Sequence, residues 1–306
     1  MNIKDSKNYK VIVGCLCALG SEILFGFSYL FSKKATNIAN PFELLAWRFL
    51  FAFIIMSVCS LVGIFKINLK GKNIKRLVFI SLFSPIIYFI GETVGISNTS
   101  ASESGVFIAS VPVASMIAST IFLKKKPTKL QASGIVITLV GVIFTVVAAG
   151  VSASLSVIGY SFLSMAVVSF AIYSVLVEEA TEFTGAEVTY ITLTSGMVAF
   201  VIIGFAQAAI KGNVSSFITL PMNHASFLIA ILYQSVGCSI LGFLMQNTAI
   251  ATIGVNKSAS FIGASTVASI LAGVIFLKER FTLLQVIGAI IIVGGIYIAN
   301  AKNGKE

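Results

Sequence analysis

Four charged residues, Glu22, Arg48, Glu92 and Glu103, interrupt or open long apolar runs and are the strongest candidates for chemistry in this chain. A charged side chain at the centre of a membrane helix costs about 2.5–3.5 kcal/mol, so each of these groups needs a partner or a task. Arg48 lies about 9 Å into its run at 1.5 Å per residue, and Glu92 lies at a similar depth. Two readings are open for this pair. In one, Arg48 and Glu92 form a buried ion pair that fixes helix contacts, because a buried charge requires a counter-charge. In the other, Glu92 lies on a substrate path and binds a cationic or amine group or carries a proton, because a carboxylate cut off from water favours its neutral form. Glu22 and Glu92 are read as functional groups. Tyr88, one turn before Glu92, adds an aromatic ring, and rings beside carboxylates suit a cationic or zwitterionic ligand through cation–π contact.

Glu22, Gly26, Tyr29 and Lys33 are spaced as one helical stripe. A polar stripe with a glycine suits either a cavity lining or a close helix–helix seam. Other chemistries lack their residues. There is one histidine, His224, and the four cysteines Cys15, Cys17, Cys59 and Cys238 all lie in apolar runs. They read as buried free thiols rather than disulfides. No metal cluster, catalytic triad or phosphate loop is visible, so no cofactor, no metal and no enzymatic activity are expected, and direct drive by ATP is not expected either.

The elements that must position these groups follow from composition. With 57% hydrophobic and 10% charged residues, the chain is far more apolar than a soluble domain, in which roughly 25% of residues are charged. A polytopic membrane protein follows. Apolar runs predict ten all-α spans, at 11–33, 42–63, 76–97, 103–123, 130–149, 156–177, 187–209, 224–247, 256–277 and 282–300. Twelve Lys and Arg of the first half fall on the side of the N-terminus, from Lys4 to Lys129, against Lys33 and Lys34 on the other. The basic side is cytoplasmic by the charge rule, which places both termini there. The formal charge of +10 therefore points to topology rather than nucleic acid. The connection near 178–187 is acidic, with Glu178, Glu179, Glu182 and Glu187.

The chain also repeats itself. Residues 104–141 laid over 258–295 match at seventeen of 38 positions, including Phe107/Phe261, Ser115/Ser269, Lys124/Lys278 and Gln131/Gln285. Shared apolar composition would not supply the matched Lys, Thr, Gln and Gly. Five spans per half place the second half upside down relative to the first, an inverted repeat common in secondary transporters. The units are 1–150 and 151–306. At the same offset Glu92 falls on Gln246, beside Asn247, and Glu103 falls on Lys257. Tyr29 and Tyr173 lie in the first and sixth spans, the opening spans of the two halves. Gln246 and Asn247 either continue the polar path or satisfy helix contacts.

The segments "FGFSYLFSKKA", "PFELLAWRF", "SVPVASMIASTIFLKKKPTKLQASGIVITLVGVIF", "YSVLVEEA" and "STVASILAGVIFLKERFTLLQVIGAIIIVGGIYI" resemble the drug/metabolite transporter superfamily, and within it the EamA family of ten-helix bacterial transporters, over nearly the whole chain. The chain departs from the pattern at Lys125, where an acidic residue is expected, at Thr266, opposite Pro112, and at Glu22. The resemblance implies a structural role for Arg48. It further implies a multi-pass protein of the bacterial cytoplasmic membrane that moves a small polar metabolite by alternating access. Such proteins are usually exporters, driven by proton or substrate gradients. An amino acid or related amine is the favoured substrate; an organic cation or drug, or import by the same fold, are the alternatives, and a channel or scaffold is the alternative of another class. The expected pathway comprises Glu22, Tyr29, Tyr88, Glu92, Tyr173, Gln246 and Asn247. The expected partners are the small-molecule substrate and the lipid bilayer, with proton coupling and no nucleic acid; monomer and homodimer both remain open.

Overall fold

The computed structural model describes residues 7–36, 38–98, 108, 110–148, 156–277 and 283–300, all helix or short connection. In chain order the helices are α1 (Lys7–Thr36), α2 (Pro41–Leu61), α3 (Ile74–Ser81), a first π segment (Leu82–Ile87), α4 (Tyr88–Ser97), α5 (Val111–Phe122), α6 (Lys129–Ala148), α7 (Val157–Glu179), α8 (Gly185–Ile210), α9 (Val214–Asn223), α10 (Ala225–Leu232), a second π segment (Tyr233–Gly242), α11 (Phe243–Ile253), α12 (Val255–Ala259), α13 (Gly263–Leu277) and α14 (Leu283–Asn300). Among the described residues, six stretches are long and apolar enough to cross a membrane: Asn8–Ser28, Pro41–Leu61, Ile74–Gly95, Val157–Glu179, Gly185–Ile210 and Ala225–Ile253. The other four expected spans coincide with the shorter helices α5, α6, α13 and α14.

Local sequence sets where these helices start. Asn40 caps α2: its side chain accepts from the Phe42 amide, and Glu43 reaches back to the Asn40 amide at 2.9 Å, with Pro41 in the first turn. Thr184 and Glu187 repeat the device at the start of α8. Such boxes satisfy amides that a helix start leaves open. One element lies in an expected connection: α9 packs Phe217 and Leu220 inward and offers the Phe217 carbonyl to the indole of Trp47 at 3.1 Å.

The halves meet as a twofold requires. α6 and α14 occupy matching places in the repeat, and they pack face to face through glycines. Gly134 faces Gly295 and Ala299, while Gly141 faces Gly288 and Ile292. Partner numbers fall as residue numbers rise, so these twins run antiparallel, as inverted copies must. With no hydrophobic drive between helices in lipid, small residues that admit close backbone approach supply the packing. Two further pairs of neighbours match: α4 on α7 mirrors α11 on α1, and α5 on α7 mirrors α13 on α1. At the centre the twin rings Phe89 and Phe243 lie 6.3 Å apart, with Phe49 against both.

Both π segments fall at equivalent places, immediately before α4 and α11. In the first, Ser84 is extended (φ −141°, ψ 124°). Pro85 accounts for this, since it lacks an N–H and disfavours helical geometry in the residue before it. The Phe83 carbonyl is taken by the Ser169 hydroxyl at 2.7 Å, which satisfies a backbone group that lipid could not. Irregular turns of this kind gather at functional sites.

Candidate functional site

Arg48 sits two turns into α2 and is 7% exposed. Its Nε donates to Ser239 Oγ at 2.7 Å and its Nη1 to Gln234 Oε1 at 3.3 Å, while its carbonyl accepts from Ser235 Oγ at 2.8 Å. All three partners belong to the second π segment. Gln234 in turn donates to Ser32 of α1 at 3.1 Å. The guanidinium carbon lies 4.9 Å from the centre of the Phe89 ring. Arg48 therefore clasps α2 to the irregular stretch of the opposite half.

Glu92 takes a different partner. Tyr88 Oη donates to its Oε1 at 2.9 Å, and the Tyr88 ring packs on Phe89 and, at 5.4 Å, on Phe170 of α7. Gly91 and Gly95 bring α4 against Ala166 and Leu163 of α7. Glu92 is half-buried. Arg48 and Glu92 lie within electrostatic reach of each other. They make no ion pair: among the described residues, ion pairs within 4 Å join only Lys72, Arg76 and Lys125 to carboxylates.

Glu22 is buried at 5% exposure in α1 with Ser265 of α13 as its neighbour. Gly26, one turn on, lies against the Ser265 carbonyl and Ala268. The stripe is thus a close seam here, with its carboxylate inside. The side chains of Tyr29 and Lys33, and Glu103 altogether, lie outside the described residues.

A third cluster joins the expected Tyr173 and Asn247. Tyr173 Oη donates to Asn247 Oδ1 at 2.6 Å, Asn247 Nδ2 donates to Thr189 Oγ1 at 3.0 Å, and Thr189 donates to the Gly185 carbonyl at 2.7 Å. All of these side chains are buried. Gln246 accepts from Ser21 of α1 at 2.9 Å. Sequence reading did not single out Ser21, Thr189, Gln234 or Ser239. Each is a polar group in an apolar run, which was the one available signal; its partner was not legible.

The acidic connection explains itself at the lysine-rich end. Glu187 is 2% exposed and receives Lys72 Nζ at 2.6 Å, the Thr184 amide at 2.8 Å and the Asn68 amide at 3.1 Å. Arg76 holds Glu182 at 2.9 Å. Glu178 holds Lys125 and the Val255 amide. The three ion pairs each join one half to the other, and Lys125, the departure from the family pattern, supplies one of them. Tyr173 and Asn247 lie just inside this latch.

A helical membrane protein of two related halves, with polar side chains shared between them, has the architecture of a transporter. The chain belongs to the EamA-like transporter family, which it matches twice, over residues 12–147 and 157–301. It is 30% identical over 293 residues to the uncharacterized transporter YcxC of Bacillus subtilis (strain 168), covering 95% of this chain and 94% of that protein. It is 27% identical over 290 residues to the uncharacterized transporter YvbV of the same organism, covering 93% and 90%. A protein solved by crystallography shares the fold, with a TM-score of 0.73, 17% identity and coverage of 96% of this chain and 98% of that one.

Proposed function

We propose that this protein is a secondary transporter that exports a small polar metabolite, an amino acid or related amine, by alternating access coupled to protons. The observation that carries the reading is the shared position of the two π segments. One leads into Tyr88 and Glu92; the other carries Arg48's partners and leads into Gln246 and Asn247. Irregular helices related by a repeat are where transporters of inverted design place their substrate sites. In this reading Glu92 and Glu22 serve substrate or protons, and Tyr88, Tyr173, Gln246 and Asn247 line the path. Tyr29 belongs to the same proposal. All ten spans cross a bacterial cytoplasmic membrane, with the lysine-rich end and both termini in the cytoplasm.

Proteoliposome flux across a panel of cationic, zwitterionic and anionic metabolites, with and without a pH gradient, tests this. Saturable flux that follows the gradient supports it. Flux without saturation would indicate a channel, and flux of bulky organic cations alone would indicate a drug transporter. Flux indifferent to the gradient and unchanged in Glu92→Gln would remove the proton role.

A further inference from the structure

We infer that Arg48 and Glu92 are the two poles of a site for a zwitterion: Arg48 receives the carboxylate of the substrate, and Glu92, held by Tyr88, receives its ammonium. The inference rests on the transport reading and narrows it to free amino acids or similarly short zwitterions. It also gives Arg48 a task beyond the structural one that the family resemblance implies.

Three observations carry it. First, among the described residues neither charge has an ion-pair partner within 4 Å. Arg48 has neutral hydrogen-bond partners, Ser239 and Gln234, and Glu92 has one, the Tyr88 hydroxyl. A buried charge without a counter-charge is costly, and two opposite charges in a low-dielectric interior attract strongly. Second, they are held apart. Ser239 and Gln234 fix the guanidinium through Nε and Nη1, and Tyr88 fixes one carboxylate oxygen. No described residue accepts from Nη2, and no described residue donates to Glu92 Oε2. The N–H groups of Nη2 therefore remain to donate charge-assisted hydrogen bonds to a carboxylate. Third, each charge has an aromatic ring against it, and the two rings touch. Phe89 lies under the guanidinium, and Tyr88 meets Phe89 edge-on at 5.0 Å. Beyond Tyr88 are Phe170 and, 5.8 Å further, Tyr173. Such a wall suits an ammonium. A preorganised pair of opposite charges matches a ligand carrying both.

The test uses the purified full-length protein at pH 7, with thermal unfolding and equilibrium competition as readouts. L-amino acids with small, apolar, aromatic and polar side chains are each compared with two relatives: the primary amine lacking the carboxylate and the N-acetyl acid lacking the ammonium. At least one free amino acid should raise the unfolding temperature, with both relatives binding about tenfold or more weakly. An amine that binds as well as its amino acid overturns the role of Arg48, and an N-acetyl acid that binds as well overturns that of Glu92. Because this comparison uses the unaltered chain, it does not depend on any variant folding. Arg48→Lys should weaken the amino acid more than the amine, and Glu92→Gln should weaken the amino acid more than the N-acetyl acid; equal losses overturn the assignment. Flux of amines without flux or binding of any amino acid removes this inference and leaves the transport reading standing, whereas no flux of any compound removes both.

Discussion

Replacing Glu187 by alanine should unlock the lysine-rich end of the protein. Its carboxylate accepts from Lys72, Thr184 and Asn68. Removing one partner of a buried ion pair costs about 3–5 kcal/mol. Lys72 keeps 25% exposure, so its ammonium can rehydrate and the lower end applies, about 3 kcal/mol. The neighbouring pair, Arg76 with Glu182, is exposed by 34% and 38%, and such surface pairs contribute only about 0.2–1 kcal/mol. Lys72 and Asn68 lie in the first half and Glu187 in the second, so the loss falls on the state in which this end is shut. About 3 kcal/mol corresponds to roughly a 100-fold shift of that equilibrium. The assay is labelling of Ser174→Cys by a membrane-impermeant thiol reagent, in a background without the four native cysteines. Ser174 is buried at 3% exposure and lies one turn before Glu178, on the same helical face. Glu187→Ala should raise the labelling rate from this end steeply and Glu182→Ala hardly at all. Equal effects of the two variants, or unchanged labelling in Glu187→Ala, would refute the reasoning.

Three further outcomes follow from the packing and the polar cores. Gly295→Ala should cost about 1–3 kcal/mol by overpacking against Thr138 and the Gly134 carbonyl; Gly294→Ala, one residue earlier and with nothing within 4 Å of the added carbon, should be neutral or slightly stabilising, and thermal unfolding compares them directly. Tyr173→Phe should cost about 1–3 kcal/mol, because it leaves the buried Asn247 carbonyl oxygen without its donor, and the double change with Asn247→Leu should recover part of that loss. Glu92→Gln should fold normally, since the amide oxygen can still accept from Tyr88, and should lose substrate flux in proteoliposomes; normal flux would take Glu92 out of the pathway.

The legible part of this protein was whatever depends on composition and period. Spans show as apolar runs because lipid demands them, and the repeat shows because matched polar residues such as Gln131 and Gln285 are improbable in such runs. Glu22, Arg48 and Glu92 stood out because a charge in an apolar run is conspicuous. What stayed hidden depends on which faces meet. The first π segment has a local cause in Pro85, but the second contains no proline and shows only as the twin of the first. The helix 214–223 is only ten residues long and contains Pro221, so it does not show as a run of membrane length. The span expected at 224–247 runs on to Ile253, which moves Gln246 and Asn247 away from a helix end and into the interior.

The pairing of charges is the sharpest case of this limit. Sequence offers Arg48 an obvious counter-charge in Glu92 at a similar depth, and electrostatics alone would join them. The structure instead hands Arg48 to Ser239 and Gln234, two residues with no charge to advertise them, and hands Glu92 to the tyrosine one turn before it. The acidic connection shows the reverse. Glu178, Glu182 and Glu187 looked like an exception to the charge rule, yet each finds a lysine or arginine from the other half. Among the described residues, opposite charges therefore meet within 4 Å at the lysine-rich end, while Arg48 and Glu92 each settle on neutral hydrogen-bond partners, which is the arrangement that the proposed zwitterion site requires.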